Sequence, residues 1–298
     1  MKLSILIPCY NEEGNLVALS ERIRQVFGSG DYECVFVNDG SRDGTLEELR
    51  QVAGRQNTPC KILNFTRNFG KEAAMYAGLS RCEGEYIGLI DADLQHEPEM
   101  LRKMLTLLER DDTLDMVAAV QTIRRENYVM KRCKKIFYCL FRSLVDLDFR
   151  PDAGDFRVFR RSVRDAVLSM PEVQRFSKGL FCWGGFRVAY LPYEASARRA
   201  GVSKWSFGRL FGYAVSGIVS FSTRPLRLPY LLGGIALAGA VVSGVTRHGL
   251  AALVLAVGGL QFLCLGILGE YLAGVFMQAK NRPLYWLRSE ERYPVKKG

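Results

Sequence analysis

Two carboxylates stand one residue apart in "YIGLIDADLQHEPE", residues 86–99: Asp91 and Asp93, with the amide of Gln95 two positions further on. Three oxygen donors at alternating positions can converge on one hard cation, and Mg²⁺ or Mn²⁺ suits such ligands. A divalent ion held there would bridge a diphosphate and neutralise the charge that builds on it as it leaves. An isolated Asp-x-Asp pair is ordinarily a solvated turn. The weight lies in its position, directly after an apolar run of strand length. His96, beside the cluster, reads as a loop residue rather than a ligand.

Other polar clusters follow similar runs. In "PCYNEE" (8–13) Pro8 stiffens the exit from the first run, Tyr10 offers a flat surface to a base, and Glu12 stands among acids where a helix begins. In "VNDGSRDGT" (37–45) the Asp39 carboxylate can accept from a base N–H, the plainer alternative being an Asp-Gly turn capping the next helix. The elements that must position these residues are short apolar runs, "LSILIP" (3–8), "YECVFVND" (32–39), "CKILNF" (60–65) and "EYIGLID" (85–91). Between them, 13–27, 43–54 and 71–82 carry apolar residues at helical spacing, as at Leu46, Leu49 and Val52. This alternation predicts an α/β fold with a mostly parallel, Rossmann-like sheet, whose ligands sit beyond the carboxyl ends of its strands. The polar clusters fall at those ends.

The chain of 298 residues has 41 Lys and Arg against 31 Asp and Glu, a charge of +10 that suits nucleic acid, a phosphorylated ligand or an anionic membrane surface. Its eight cysteines form no CxxC pair and only two histidines accompany them, so they read as reduced, mostly buried thiols. "MKLSILIPCYNEE" lacks the features of a signal peptide, which places the first domain in the cytoplasm. After about residue 203 the character changes. Residues 204–227 mix aromatic, apolar and basic residues and suit amphipathic helices lying in a membrane interface. Residues 228–277 hold two apolar stretches, about 228–246 and 249–277, joined by a short polar turn, and read as a transmembrane hairpin. The tail 278–298 is basic while the turn carries only Arg247, so both termini are expected in the cytoplasm and the protein in the inner or plasma membrane. Residues 1–203 are then the cytoplasmic catalytic domain.

Taken in order, "IPCYNEE", "VNDGSRDGT", "NFGKEAAMYAGL", "DADLQHEPE", "GDFRVF" and "RRAGVSKW", followed by the hairpin, resemble the inverting GT-A-fold glycosyltransferases of family 2, in the dolichyl/undecaprenyl-phosphate sugar transferase branch that includes bactoprenol glucosyltransferases. The resemblance covers essentially the whole chain. It implies a nucleotide-sugar donor, a divalent metal and a polyprenyl-phosphate acceptor. Residue by residue, it implies that Pro8, Tyr10, Glu12 and Asp39 contact the nucleotide and that Asp91, Asp93 and Gln95 hold the metal. Asp155 then matches the family's catalytic-site carboxylate, and Arg198 and Lys204 its acceptor-phosphate motif.

Elementary chemistry sharpens one point. A hydroxyl acceptor needs a general base, whereas a lipid phosphate is already anionic at neutral pH and needs cations that position it. The basic segment 123–138, in which Arg124 and Arg132 are the chosen contacts, supplies them together with Arg198 and Lys204. Asp155 can therefore serve either as a base or to orient a cation or the sugar. Trp183, in "RFSKGLFCWGGF", fits either a sugar-stacking platform or the core. The expected partners are a nucleotide sugar, taken as a UDP-sugar, a polyprenyl phosphate and the membrane, without nucleic acid; a homo-oligomer is left open. Two other readings are weaker. A processive polysaccharide synthase would carry a Gln-x-x-Arg-Trp motif, which is absent, and a non-catalytic nucleotide-sugar-binding scaffold would not need the intact Asp pair.

Overall fold

A computed structural model describes residues 1–28, 30–55, 58–121, 132, 144–145, 150, 153–193, 217–243 and 249–294. The chain divides into two compact units, one formed by residues 1–127, 148–204 and 283–298, the other by 128–147 and 205–282.

In the first unit the apolar runs become strands at the expected places: β1 (Leu3–Cys9), β2 (Tyr32–Asn38), β3 (Cys60–Phe65) and β4 (Tyr86–Leu89). The helices between them are α1 (Leu16–Phe27), α2 (Thr45–Arg55) and α3 (Lys71–Leu79). α4 (Pro98–Arg110) begins with proline at its first turn, where the missing N–H has no intrahelical partner to lose, and buries Leu101, Met104, Leu105 and Leu108 at helical spacing. Strands β5 (Met116–Gln121), β6 (Ala153–Arg160) and β7 (Val188–Tyr193) follow, with α5 (Arg161–Ser169) and α6 (Ser177–Trp183) between β6 and β7.

The eight-stranded sheet has the order β7-β5-β6-β4-β1-β2-β3-β8. β1, β2, β3 and β4 run parallel, with β1 between β2 and β4. The chain therefore moves outward from β1 to β3 and returns to β4 on the other side, which creates a switch point beside β1, where open α/β sheets bind ligands. β6 runs antiparallel to β4, with Leu89 opposite Arg157, so two further steps along each strand bring Asp91 alongside Asp155.

The last strand, β8 (Leu287–Tyr293), comes from the segment expected only as a basic tail, and pairs antiparallel with β3. Just before it Tyr285 stacks on Phe65 at 5.0 Å, while its charged middle is held by Arg50 to Glu291 at 2.7 Å and Arg81 to Glu290 at 3.0 Å.

One buried ion pair braces the edge away from the site. Glu33, fully buried on β2, accepts from Ser4 Oγ at 2.5 Å and from the Glu83 N–H at 2.7 Å, and pairs with Lys61 Nζ at 3.0 Å. Removing one partner of a buried pair strands the other charge, so Lys61→Met should cost about 3 kcal/mol. At roughly 2–4 °C per kcal/mol for a unit of this size, the thermal midpoint should fall by about 10 °C. An unchanged midpoint would mean that Glu33 is adequately held by Ser4 and Glu83 alone.

The second unit contains a short 3-10 turn (Arg224–Arg227), α7 (Leu228–Ser243) and α8 (Leu250–Ala279). Among the described residues one helical segment, Ala256–Ala279, is long and apolar enough to cross a membrane; α7 is 16 residues long. Large apolar side chains on α8 stand exposed, including Val254, Phe262, Leu265, Leu272 and Phe276. The greater part of the expected interfacial segment 204–227 lies outside the described residues.

Candidate active site

The loops after β1 and β2 are knitted together by their own polar groups. Beyond β1 the chain turns at Asn11, whose φ of 53° lies in the left-handed region that asparagine adopts more readily than other residues with a side chain. The turn is held because the Asn11 N–H donates to Ser41 Oγ at 3.0 Å and Asn11 Oδ1 accepts from the Arg42 N–H at 3.0 Å. The Glu12 N–H donates to Thr45 Oγ1 at 2.9 Å, and the Glu12 carboxylate accepts from Asn15 Nδ2 at 2.9 Å. Pro8 and Tyr10 are half-buried on the same strand exit.

Asp39, at the end of β2, is only 3% exposed. Its carboxylate accepts from the Phe69 N–H at 2.7 Å, the Gly70 N–H at 3.0 Å and Asn68 Nδ2 at 3.0 Å. Burial raises its carboxyl, and the two backbone donors and Arg67 oppose that. Expected as a base contact, it also anchors the loop between β3 and α3. Gly40 makes the close approach possible: it sits at φ +63°, and a Cβ there would lie 2.3 Å from the Arg67 carbonyl carbon.

The anchored loop delivers Lys71, the first residue of α3. Its ammonium lies 2.7 Å and 3.0 Å from the two oxygens of Asp91 and 2.9 Å from Asp155 Oδ2. Burial works to raise the Asp155 carboxyl, but Lys71, Lys178 and Arg157 overcome it and hold the group well below the usual carboxylate range. Burial likewise works to lower Lys71, and Asp155 and Asp91 raise it beyond its ordinary value. Lys71 was legible only as a letter within "NFGKEAAMYAGL"; no periodicity or spacing marks a lysine that reaches across two strand ends.

Around this bridge, Leu94 adopts φ 59° while burying its side chain, so the Asp93–Gln95 turn keeps a strained backbone, and the Gln95 N–H donates to Asp93 Oδ1 at 3.1 Å. His96 is half-buried, stacked on Phe156 (4.5 Å between ring centres), and shares a hydrogen bond of 3.0 Å with Tyr193 Oη. Burial lowers its pKa, and it lies within electrostatic reach of Asp91, Asp93, Lys71 and Asp155. It is a loop residue, as its context suggests, packed into the wall of the site.

Among the described residues no three His, Cys, Asp or Glu side chains gather as a metal cluster. The donor set at Asp91, Asp93 and Gln95 is nevertheless all oxygen, and a cation, the Lys71 ammonium, already rests on Asp91. Two carboxylates and an amide fit a hard divalent ion whose remaining ligands come from a diphosphate and water.

Trp183 ends α6 with 64% of its surface exposed, which removes the core alternative. Arg132 is exposed; Arg124, Arg198 and Lys204 lie outside the described residues.

Glu72, next to Lys71, accepts from the Ser177 N–H at 3.0 Å and from the Ser177 hydroxyl. Burial, followed by the Asp155 charge, raises its carboxyl from 4.5 to about 7. A raised acid leaves the folded state untouched below its unfolded value and penalises it as pH climbs through the folded one. Glu72→Gln should therefore raise the thermal midpoint at pH 8 and barely move it at pH 4.5. Equal effects at both pH values would disprove that titration.

The fold and sequence have relatives. The glycosyl transferase family 2 model matches residues 4–168. A putative glycosyltransferase, CsbB, of Bacillus subtilis is 37% identical over 302 residues, covering 96% of this chain and 91% of that protein. The bactoprenol glucosyl transferase of Shigella phage SfII is 32% identical over 310 residues, covering 98% and 99%. Among solved structures, S. aureus TarS 1-349 in complex with UDP-GlcNAc aligns with a TM-score of 0.52 at 19% identity, over 74% of this chain and 66% of that one. Glucosyl-3-phosphoglycerate synthase from Mycobacterium tuberculosis in complex with Mn²⁺, UDP and glucosyl-3-phosphoglycerate aligns at 0.53 and 16%, over 73% and 77%. These two establish likeness of fold. With the family model spanning more than half of the chain and full-length relatives above 30% identity, the chain belongs to glycosyl transferase family 2.

Proposed function

We propose that the chain is a metal-dependent, inverting glycosyltransferase that moves a sugar from a nucleotide sugar, a UDP-sugar, to polyprenyl (undecaprenyl) phosphate at the cytoplasmic face of the membrane. The observation that carries this is the bridge of Lys71 between Asp91, after β4, and Asp155, on β6. It joins the carboxylate suited to the divalent ion of a nucleotide diphosphate and the carboxylate on the antiparallel neighbour in one reaction centre at the switch point of the sheet. The lipid acceptor is supported by full-length relatives named bactoprenol glucosyl transferase and by the exposed apolar surface of α8, which water would disfavour. On this reading residues 1–203 are catalytic, 204–227 lie in the interface, 228–277 form a membrane hairpin, and 278–298 return to the cytoplasm.

Asp91, Asp93 and Gln95 would hold Mg²⁺ or Mn²⁺, which supplies positive charge to the departing diphosphate. Pro8, Tyr10, Glu12 and the loop anchored by Asp39 form the nucleotide side, and the exposed Trp183 offers a ring to the sugar face. The acceptor phosphate is already an anion, so no proton need be removed from it. Asp155, paired with Lys71 and held well below the usual carboxylate range, is a poor base and instead fixes that cation. Arg124, Arg132, Arg198 and Lys204 would supply the positive charge that holds the lipid phosphate.

The test is to incubate the purified full-length protein with a panel of sugar-labelled nucleotide sugars, with and without undecaprenyl phosphate, and extract with organic solvent. We expect label in the organic phase for one donor, dependent on the polyprenyl phosphate. Label accumulating as an insoluble polymer would favour the processive synthase, and no turnover of any donor would favour the binding scaffold.

A further inference from the structure

Lys71 is an odd choice for its position. It opens α3, where the helix macrodipole favours negative charge, and a cation there needs compensation. It receives that from two carboxylates on different strands, at 2.7 Å and 2.9 Å. The backbone that carries it is fixed, because Asp39 accepts from the N–H groups of both residues before it, Phe69 and Gly70. Yet its side chain remains 40% exposed, so solutes can reach the ammonium.

We infer that Lys71 is a positioning residue that acts as a built-in counter-cation, holding Asp91 and Asp155 together before the donor arrives and making capture of the divalent ion conditional on the nucleotide diphosphate. This rests on the metal reading above. Asp91 is both a proposed ligand and the primary partner of Lys71, so a bare divalent ion must share that carboxylate with an ammonium already in contact. The repulsion between the two cations is strong at such separations in the partly screened edge of a protein. A diphosphate brings at least two negative charges of its own, which offset the added cation and allow metal and ammonium to coexist. Metal and nucleotide should therefore bind synergistically, and the free enzyme should not retain the ion. The same arrangement guards an empty site, since Asp91 and Asp155 would otherwise repel each other.

The test uses the full-length protein in detergent and the electron paramagnetic resonance signal of free Mn²⁺, titrated with and without UDP, for the parent, Lys71→Met, Lys71→Gln and Lys71→Arg. In the parent, UDP should tighten Mn²⁺ binding at least about tenfold. Lys71→Met and Lys71→Gln should bind Mn²⁺ without UDP at least about tenfold more tightly than the parent, and gain less from UDP. Lys71→Arg, which keeps the charge, should behave as the parent does. Neutral variants that bind Mn²⁺ no more tightly than the parent without UDP would overturn the inference, as would an arginine variant that behaves like the neutral ones. If the parent fails to bind Mn²⁺ even with UDP, the metal reading falls and this inference with it.

Discussion

Asp93→Asn should abolish most transfer while leaving the Lys71 bridge intact, because Asp93 takes no part in it. Losing one charged ligand removes stabilisation of the departing diphosphate that is worth several kcal/mol, and at 1.36 kcal/mol per decade kcat/KM should fall by roughly two to three orders of magnitude. Asp91→Asn should lose as much activity and, in addition, loosen Lys71. Excess chelator should silence the parent protein, with activity restored by Mg²⁺ or Mn²⁺. The measurement is the initial rate of lipid-soluble label formation against donor concentration for the parent and the two variants. Parent-like rates in either variant, or full activity in chelator, would remove the metal from the mechanism.

Asp39→Ala should be the most damaging substitution outside the carboxylate pair. Three donors, from Asn68, Phe69 and Gly70, would lose their acceptor in a buried place. At about 1–3 kcal/mol for each stranded group, with partial relief by water, the loss of stability should be about 3–5 kcal/mol. The effect then spreads. The loop that these bonds fix delivers Lys71, so the variant should also lose nucleotide affinity and the synergy between nucleotide and metal. Thermal denaturation and UDP titration separate two roles for Asp39. Unchanged stability with lost UDP affinity would return it to the direct base contact that its sequence context suggested.

Much of this was readable from the chain itself because parallel strands buried on both faces leave continuous apolar runs. "LSILIP", "YECVFVND", "CKILNF" and "EYIGLID" became β1 to β4 nearly as bounded, and the carboxylates after them fall on one sheet edge. Other elements were hidden for physical reasons. β8 carries four charged residues among seven, since its middle is held by salt bridges at an edge, and such a strand has no apolar signature. The register that sets Asp155 beside Asp91 depends on β6 running antiparallel to β4, which no local pattern specifies. The loop-anchoring bonds of Asp39 were hidden because its partners lie thirty residues away, and the bridge of Lys71 because its partners lie on and beyond other strands. His96 is the loop residue that its context suggested, but its packing was hidden, because the rings it meets, Phe156 and Tyr193, come from β6 and β7.

The most direct measurement follows two labels in one donor, a nucleotide sugar carrying one isotope in the sugar and another in the β-phosphate, incubated with the purified protein, a divalent ion and undecaprenyl phosphate. Direct displacement by the lipid phosphate at the anomeric carbon breaks the bond between sugar and β-phosphate. The sugar label should then move to the organic phase while the phosphate label stays in water as nucleoside diphosphate. Both labels travelling together into the lipid would mean that sugar phosphate is transferred, and the proposed chemistry at Asp91, Lys71 and Asp155 would be wrong.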